Sequence, residues 1–339
     1  MSVRIATREL VERNLRFGAF YGGYLANHLP MALAALDAMG ADDPRLRDYA
    51  QAYASRLEPL VPARLAIAEG AERDHLGCDA AFPAWVDYFS ARIAARGAEP
   101  VLREWMDRLL AGAGSGAFHG LIRLAYATEI GSDRESAHAL AYWAAAFQDL
   151  GPVPPFSGAG SPASALAAIA RDPQFVPRRF PGRNIVERTA AAAADPACAD
   201  LFARAGGEAL APGPLAQAMI RCYAASGNFT ILHGVTGCHA LRLVLPFARE
   251  PNAALAHFWH ALAAAWLGAG SPAAEGWALE GSDCLGWDEI RAAAIACDDE
   301  HDVKFAYSCW REWQGSGDSL YRRAASARVR HALRAERMC

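Results

Sequence analysis

One residue type stands out by scarcity. Of the 33 basic residues, 32 are arginine and one is lysine, Lys304. Arginine keeps its proton in proteins, whereas a buried lysine can lose one. A position held as lysine against an otherwise uniform use of arginine is one where a neutral amine, or a group made from it, matters. A lone lysine also survives on solvated faces, and the count alone does not separate the two readings. The surroundings go further. In Cys297-Asp-Asp-Glu-His301-Asp-Val-Lys304-Phe-Ala-Tyr-Ser-Cys309, His301 and Lys304 are three apart and share a helical face. Acids lie one turn earlier and apolar residues follow. Desolvation there lowers the lysine pKa. The free amine can act as a base, form a Schiff base, or take up CO2 to give a carbamate, a carboxylate on a long arm that ligates metals.

Histidines are the natural companions of such a ligand. His28 opens an apolar helix in Asn27-His-Leu-Pro30, where Pro30 is tolerated in the first turn. His119 faces the same way as Ile122, Arg123 and Tyr126. His233 lies in Leu232-His-Gly-Val-Thr-Gly-Cys-His239, where Gly234 and Gly237 allow close helix approach. Taken singly, each reads as a satisfied core histidine; three on apolar helices beside an odd lysine favour a metal. His239 is six residues from His233, roughly 120° away round a helix, which makes it a substrate-side candidate rather than a co-ligand. His257 and His260 share a face, but their alanine-rich helix reads as core. His75 and His331 sit among charges and read as solvated, and His138 could line a cavity. The run of arginines from Arg322 to Arg337 reads as a solvated helical face.

Helices must position these groups. Apolar residues recur at helical spacing nearly throughout, with no clean alternation bounded by hairpin turns, so the chain reads as all-α. The pattern predicts helices over 8–17, 28–39, 43–57, 83–96, 99–111, 117–130, 134–148, 162–171 and 185–194. Further helices are predicted over 214–225, 228–246, 251–268, 287–313 (broken) and 318–335. A single large domain over 1–339 is expected, with a soft division near 150–185. There Gly151–Pro155 and Asp172–Pro177 mark either a boundary or a long loop over an active site.

At 339 residues, 53% hydrophobic and 21% charged, the chain has the composition of a folded globular protein. A net charge of −4 argues against nucleic-acid binding. No apolar segment has the length and purity of a signal or membrane span, so a cytoplasmic location is expected. The eight cysteines form no C-x-x-C pair and read as small buried hydrophobes under reducing conditions. The glycine-rich run at 112–116 misses the dinucleotide fingerprint, and neither a phosphate-binding loop nor a G-x-S-x-G elbow occurs.

Together the ordered islands Asn27-His-Leu-Pro-Met, His119-Gly-Leu-Ile-Arg123, His138-Ala-Leu-Ala-Tyr-Trp143, His233-Gly-Val-Thr-Gly-Cys-His239-Ala-Leu-Arg242 and His301-Asp-Val-Lys-Phe305 resemble the questin oxidase-like family. The likeness runs from about residue 15 to 310. It implies an all-helical oxygenase of aromatic polyketides such as anthraquinones, performing Baeyer–Villiger-type or ring-cleaving oxidation without flavin. It further implies non-haem Fe(II) held by a carbamylated Lys304 with His28, His119, His233 and His301, leaving one octahedral position for O2 or substrate. The expected ligands of the protein are a small aromatic substrate and O2, with NADPH as a further candidate. Arg123 and Tyr126 are candidates for binding a phenolate, and Trp85, Trp143, Trp310 or Trp313 for stacking on a flat ring. Departures from the family pattern are Val303 before the lysine, where isoleucine is frequent, and the His257/His260 pair. Two alternatives share these residues: a metal-free NADPH/O2 oxidase using histidines as acids and bases, and a non-catalytic helical ligand-binding protein. Sequence carries no statement of oligomeric state.

Overall fold

A computed structural model describes residues 3–155, 160–173, 178–195, 199–204, 210–277 and 284–336. The helices are α1 (Ile5–Arg13), α2 (Leu29–Met39), α3 (Asp43–Ala54), α4 (Phe82–Arg96), α5 (Ala98–Leu110), α6 (His119–Ile130), α7 (Asp133–Ala145) and α8 (Pro162–Arg171). They continue as α9 (Ile185–Ala193), α10 (Ala199–Arg204), α11 (Pro212–Ser226), α12 (Phe229–Val244), α13 (Pro251–Gly268), α14 (Trp287–Ala296), α15 (Glu300–Ser316) and α16 (Ser319–Glu336). The fold is all-α, as expected. One hairpin interrupts it: β1 (Phe20–Tyr21) pairs antiparallel with β2 (Leu25–Ala26) across Gly22 and Gly23. Two-residue strands are too short to show alternation. The long segment predicted over 287–313 is two helices, because Asp299 caps a new start by accepting the His301 N–H at 2.7 Å.

Four helices form the frame. α2 packs on α6, α6 on α12, α12 on α15, and α15 returns to α2. α2 is apolar almost all round, and α6 and α12 are buried along nearly their whole length. Such helices have no solvent face to present, so they sit in the centre. Small residues set the spacing. A side chain at Gly234 would come within 2.8 Å of Met219 on α11, and Phe118 packs on Gly237. α7 approaches the start of α6 just as closely, with Trp143 filling the space where a Gly120 side chain would stand.

α6 and α7 are also tied by a buried ion pair. Arg123 donates from Nε and a terminal nitrogen to both oxygens of Glu135, at 2.8 and 2.9 Å, with both side chains sealed from solvent. Arg123 is therefore a structural cation, and its expected role of binding a phenolate is corrected: its charge is paired with Glu135, and it does not line the cavity. The far end of the expected soft division, Asn184–Val186, forms part of a cavity wall, while residues 174–177 and part of the 158–162 segment lie outside the described residues. No helix among the described residues is long and apolar enough to cross a membrane. Four of the six described cysteines are buried; Cys78 and Cys284 are exposed, against expectation.

Removing one partner of a buried pair strands the other charge, whereas replacing both with apolar side chains does not. Glu135→Ala is expected to lower unfolding free energy by roughly 3–5 kcal/mol, and Arg123→Met with Glu135→Leu to recover most of it. Urea denaturation of the single and double variants measures the difference.

Candidate metal centre

The four frame helices all begin at one place. His28 is the N-cap of α2, His119 the first residue of α6, His233 one turn into α12, and His301 and Lys304 occupy the start of α15. Local sequence secures three of these starts. Asn27 Oδ1 accepts the Leu29 N–H at 3.0 Å, Asn228 Oδ1 accepts from Thr230 at 2.8 Å, and Asp299 caps α15. The fourth is forced. Gly116, Ala117 and Phe118 carry φ of 57°, 57° and 69° in succession, and two of them are not glycine. Left-handed residues of that kind cost of order 1–3 kcal/mol each and gather at functional sites.

The imidazoles touch. His28 stacks on His119 with ring centroids 4.3 Å apart, and His301 stands edge-on to His28 at 4.9 Å. His233 lies 4.9 Å from His119 and 5.3 Å from His301. Ring nitrogens of His28, His119 and His301 all fall within 4.8 Å of one another. The orientations are held from behind. His119 Nδ1 contacts the Gly116 carbonyl at 2.5 Å and His233 Nδ1 the Phe229 carbonyl at 2.8 Å. Each Nδ1–H donates to its carbonyl, which leaves both Nε2 lone pairs free. His119 Nε2 is buried and unpartnered, as are both nitrogens of His28. His28 Nδ1 stands 3.5 Å from Glu300 Oε1.

Lys304 is buried beside them, with no carboxylate in ion-pair range among the described residues. Burial lowers its pKa to about 8 against the upward pull of Glu300 and Asp299. Burial, then the Lys304 charge, holds His28 and His119 well below the ordinary imidazole value. Burial, then His301 and Lys304, pushes His233 down to about 3. His28, His119 and His233 are thus neutral at physiological pH, the state in which nitrogen can bind a metal. Metal–nitrogen bonds of about 2.1 Å put neighbouring donors roughly 3–4 Å apart, so the cluster fits a transition-metal ion with little contraction.

A cavity of about 380 Å³ opens onto this cluster. Phe20, Tyr21 and Tyr24 of the hairpin, Tyr142 of α7 and Phe229 of α12 make its wall aromatic, and Asp79 and Glu300 are its acids. The structure brings His28, His119, His233, His301 and Lys304 together. It does not bring in Tyr126, which faces Tyr307 at 5.7 Å from a fully buried position. Nor does it bring in His239, which is buried 3.4 Å from Glu312 in a second cluster that Arg242 closes from the exposed side. The tryptophans are corrected too. Trp85 stacks on Phe89, Trp143 donates to the Gly112 carbonyl, Trp310 lies under Arg291 and Trp313 packs on Trp287. None lines the cavity.

His260 packs on Phe202 in the core, as expected of the His257/His260 helix. His138 lines a separate polar cleft with Arg134. His331 lies outside the residues with described side chains. The residues that sequence reasoning passed over are Tyr142, Asp79, Glu300 and Phe229. Phe229 stands four residues before His233 and Glu300 four before Lys304, so helical spacing carried a signal for both; Asp79 had none.

The family model described as Questin oxidase-like matches residues 25–309, a span that takes in all five clustered residues. No curated protein matches the chain.

The second buried cluster has its own consequence. Burial would raise the Glu312 carboxyl, but His239 and Arg242 outweigh it and hold the group at about 2. A carboxyl depressed in the folded state stabilises fully above its ordinary value near 4.5, and that contribution disappears as pH falls toward 2. The contribution is roughly 3 kcal/mol at neutral pH. Glu312→Gln is expected to flatten the stability profile across that window, read from urea midpoints at pH 6 and pH 3.

Proposed function

The chain belongs to the Questin oxidase-like family, which points to an oxidoreductase of polyketide-like substrates, and we propose that it is a non-haem iron oxygenase. In this reading His28, His119, His233 and His301 supply imidazole nitrogens, and Lys304, carbamylated, supplies a carboxylate oxygen. The observation that carries it is the convergence of four imidazoles, from four separate helices, on a buried amine with no counter-ion among the described residues.

An ammonium in that position repels a dication, so the amine must change. With its pKa near 8, roughly one molecule in ten holds Lys304 neutral at pH 7. The ammonium first gives up one proton; the neutral nitrogen then attacks CO2, forming a C–N bond as one C=O π bond opens, and releases a second proton, so that over two protons a cation becomes an anion. Iron, when bound, supplies the one-electron chemistry with O2 that no side chain performs.

The chain's own residues do the rest. The Gly116 and Phe229 carbonyls keep His119 and His233 turned toward the centre, and Glu300 stands behind His28. The aromatic wall strips water from a flat substrate and holds it against the histidines. Charge neutralisation by the carbamate keeps the buried centre from carrying the full charge of the ion.

Lys304→Arg retains a cation but cannot form the carbamate. It is expected to lose at least nine-tenths of the bound iron while keeping wild-type helicity, with His119→Ala behaving likewise and His239→Ala retaining iron. Metal analysis of untagged protein measures this, and iron-replete Lys304→Arg protein would refute the assignment. O2 uptake with and without NADPH then separates the two reaction types, since monooxygenation takes two external electrons and dioxygenation none.

A further inference from the structure

The cavity has a second polar end, and it is made by residues unrelated to metal binding. Tyr142 lines the cavity from α7, is 2% exposed, and its hydroxyl has no hydrogen-bond partner among the described residues. A hydroxyl left open to a cavity is free to bond whatever enters it. Its position is over-determined. The hydroxyl lies so close to the Gly116 backbone that a side chain there would stand 2.8 Å from it, and Arg123 lies 6.0 Å from the ring centroid on the far side. Asp79 lines the same cavity, also without a side-chain partner, and is near enough for its charge to act on Tyr142. It is placed by Gly77, whose N–H donates to the Ala144 carbonyl at the end of α7 at 2.9 Å. Gly77 has φ of +73°, and a side chain there would meet the Phe147 carbonyl at 2.6 Å, so only glycine lets the chain lie this close.

We propose that Tyr142 and Asp79 orient the substrate: the Tyr142 hydroxyl donates to a ring carbonyl, and the Asp79 carboxylate accepts from a ring hydroxyl. One is a donor and the other an acceptor, as a hydroxylated aromatic ketone or quinone requires. The charge balance of the wall adds selectivity. Its carboxylates are Asp79 and Glu300, and neither arginine nor lysine lines it among the described residues. A ring whose carboxylate met this end would bring an anion beside Asp79 with no arginine or lysine among the lining residues to receive it, so this end selects for neutral rings. Burial raises the Tyr142 phenol, which keeps it a donor across the physiological range.

This inference rests on the reading of the cavity as an aromatic-substrate site, but not on the identity of the metal. The test therefore uses binding rather than turnover. Full-length protein under anaerobic conditions is titrated with 1-hydroxyanthraquinone, unsubstituted anthraquinone and anthraquinone-2-carboxylate, following quenching of intrinsic fluorescence. Wild type is expected to bind the hydroxyquinone about tenfold more tightly than the unsubstituted ring, and the carboxylate most weakly. Tyr142→Phe should weaken both neutral quinones about tenfold. Asp79→Ala should abolish the preference for the hydroxyl and leave the unsubstituted ring unchanged, and Asp79→Asn, which keeps an acceptor oxygen, should restore part of it. Asp79→Arg should raise affinity for the carboxylate. A merely structural role for either residue would shift all three ligands together.

Equal binding of the three probes, affinities unmoved by Tyr142→Phe and Asp79→Ala, or no binding at all would overturn the assignment. Iron-free protein that still shows the pattern would bear out its independence of the metal, whose assignment is tested separately by the iron content of Lys304→Arg.

Discussion

A primary amine without a counter-ion, sealed among imidazoles, is the condition that the rest of this molecule accommodates. An isolated buried ammonium costs several kcal/mol, and proteins avoid the cost by neutralising or pairing the group. Here pairing is withheld. The nearest acids, Asp299 and Glu300, are engaged elsewhere: Asp299 caps α15, and Glu300 lies between His28 and Arg56. Four helix N-termini meet at the same point, and each presents the positive end of its dipole. That field opposes a cation on Lys304 and favours an anion made from it. Arginine, with a fixed charge, could not occupy the position without a partner, which explains why a chain that uses arginine at 32 other places keeps lysine here.

The same demand accounts for the strain at the start of α6. A helix entered by ordinary residues would begin with its imidazole free to swing. The left-handed run Gly116–Phe118 turns the chain so that the Gly116 carbonyl accepts from His119 Nδ1. Packing holds that run in place: Phe118 fills the space beside Gly237, and Trp143 occupies the groove that Gly120 leaves open. Strain of a few kcal/mol persists only where surrounding contacts over-determine it, and this segment is gripped by α7 and α12 together.

Much of this was legible in the sequence, and the limits follow from distance. Lys304 announced itself through composition, His301 through its spacing of three, and His28 through the helix start at Asn27-His-Leu-Pro30. The Gly234 and Gly237 contacts follow from residue size. What failed was the assignment of faces. Arg123 and Tyr126 share the His119 side of their helix, so helical spacing put them toward the substrate. The partner that claims Arg123, Glu135, lies on the next helix, and the one that faces Tyr126, Tyr307, is far off in the chain. His239 was removed from the cavity by Glu312, 70 residues beyond Arg242. Local periodicity says which residues share a face; only tertiary packing says what that face meets. Asp79 sits in a short turn with no period, and the two-residue strands of the hairpin are shorter than any repeat.

Gly116 joins the two ends of the cavity. Its carbonyl receives the His119 N–H, and its bare α-carbon admits the Tyr142 hydroxyl. The proposed metal side and the proposed substrate side are therefore referenced to one backbone unit rather than to separate loops, so displacement of one moves the other. The buried Arg123–Glu135 pair reinforces this link, because it fixes α6 against α7 four residues from His119. Catalytic groups misplaced by as little as 1 Å lose orders of magnitude in rate. A site assembled from four helices and a turn holds that tolerance only if its parts share a common anchor, and the glycine-rich segment before α6, which lacks any nucleotide-binding pattern, supplies it.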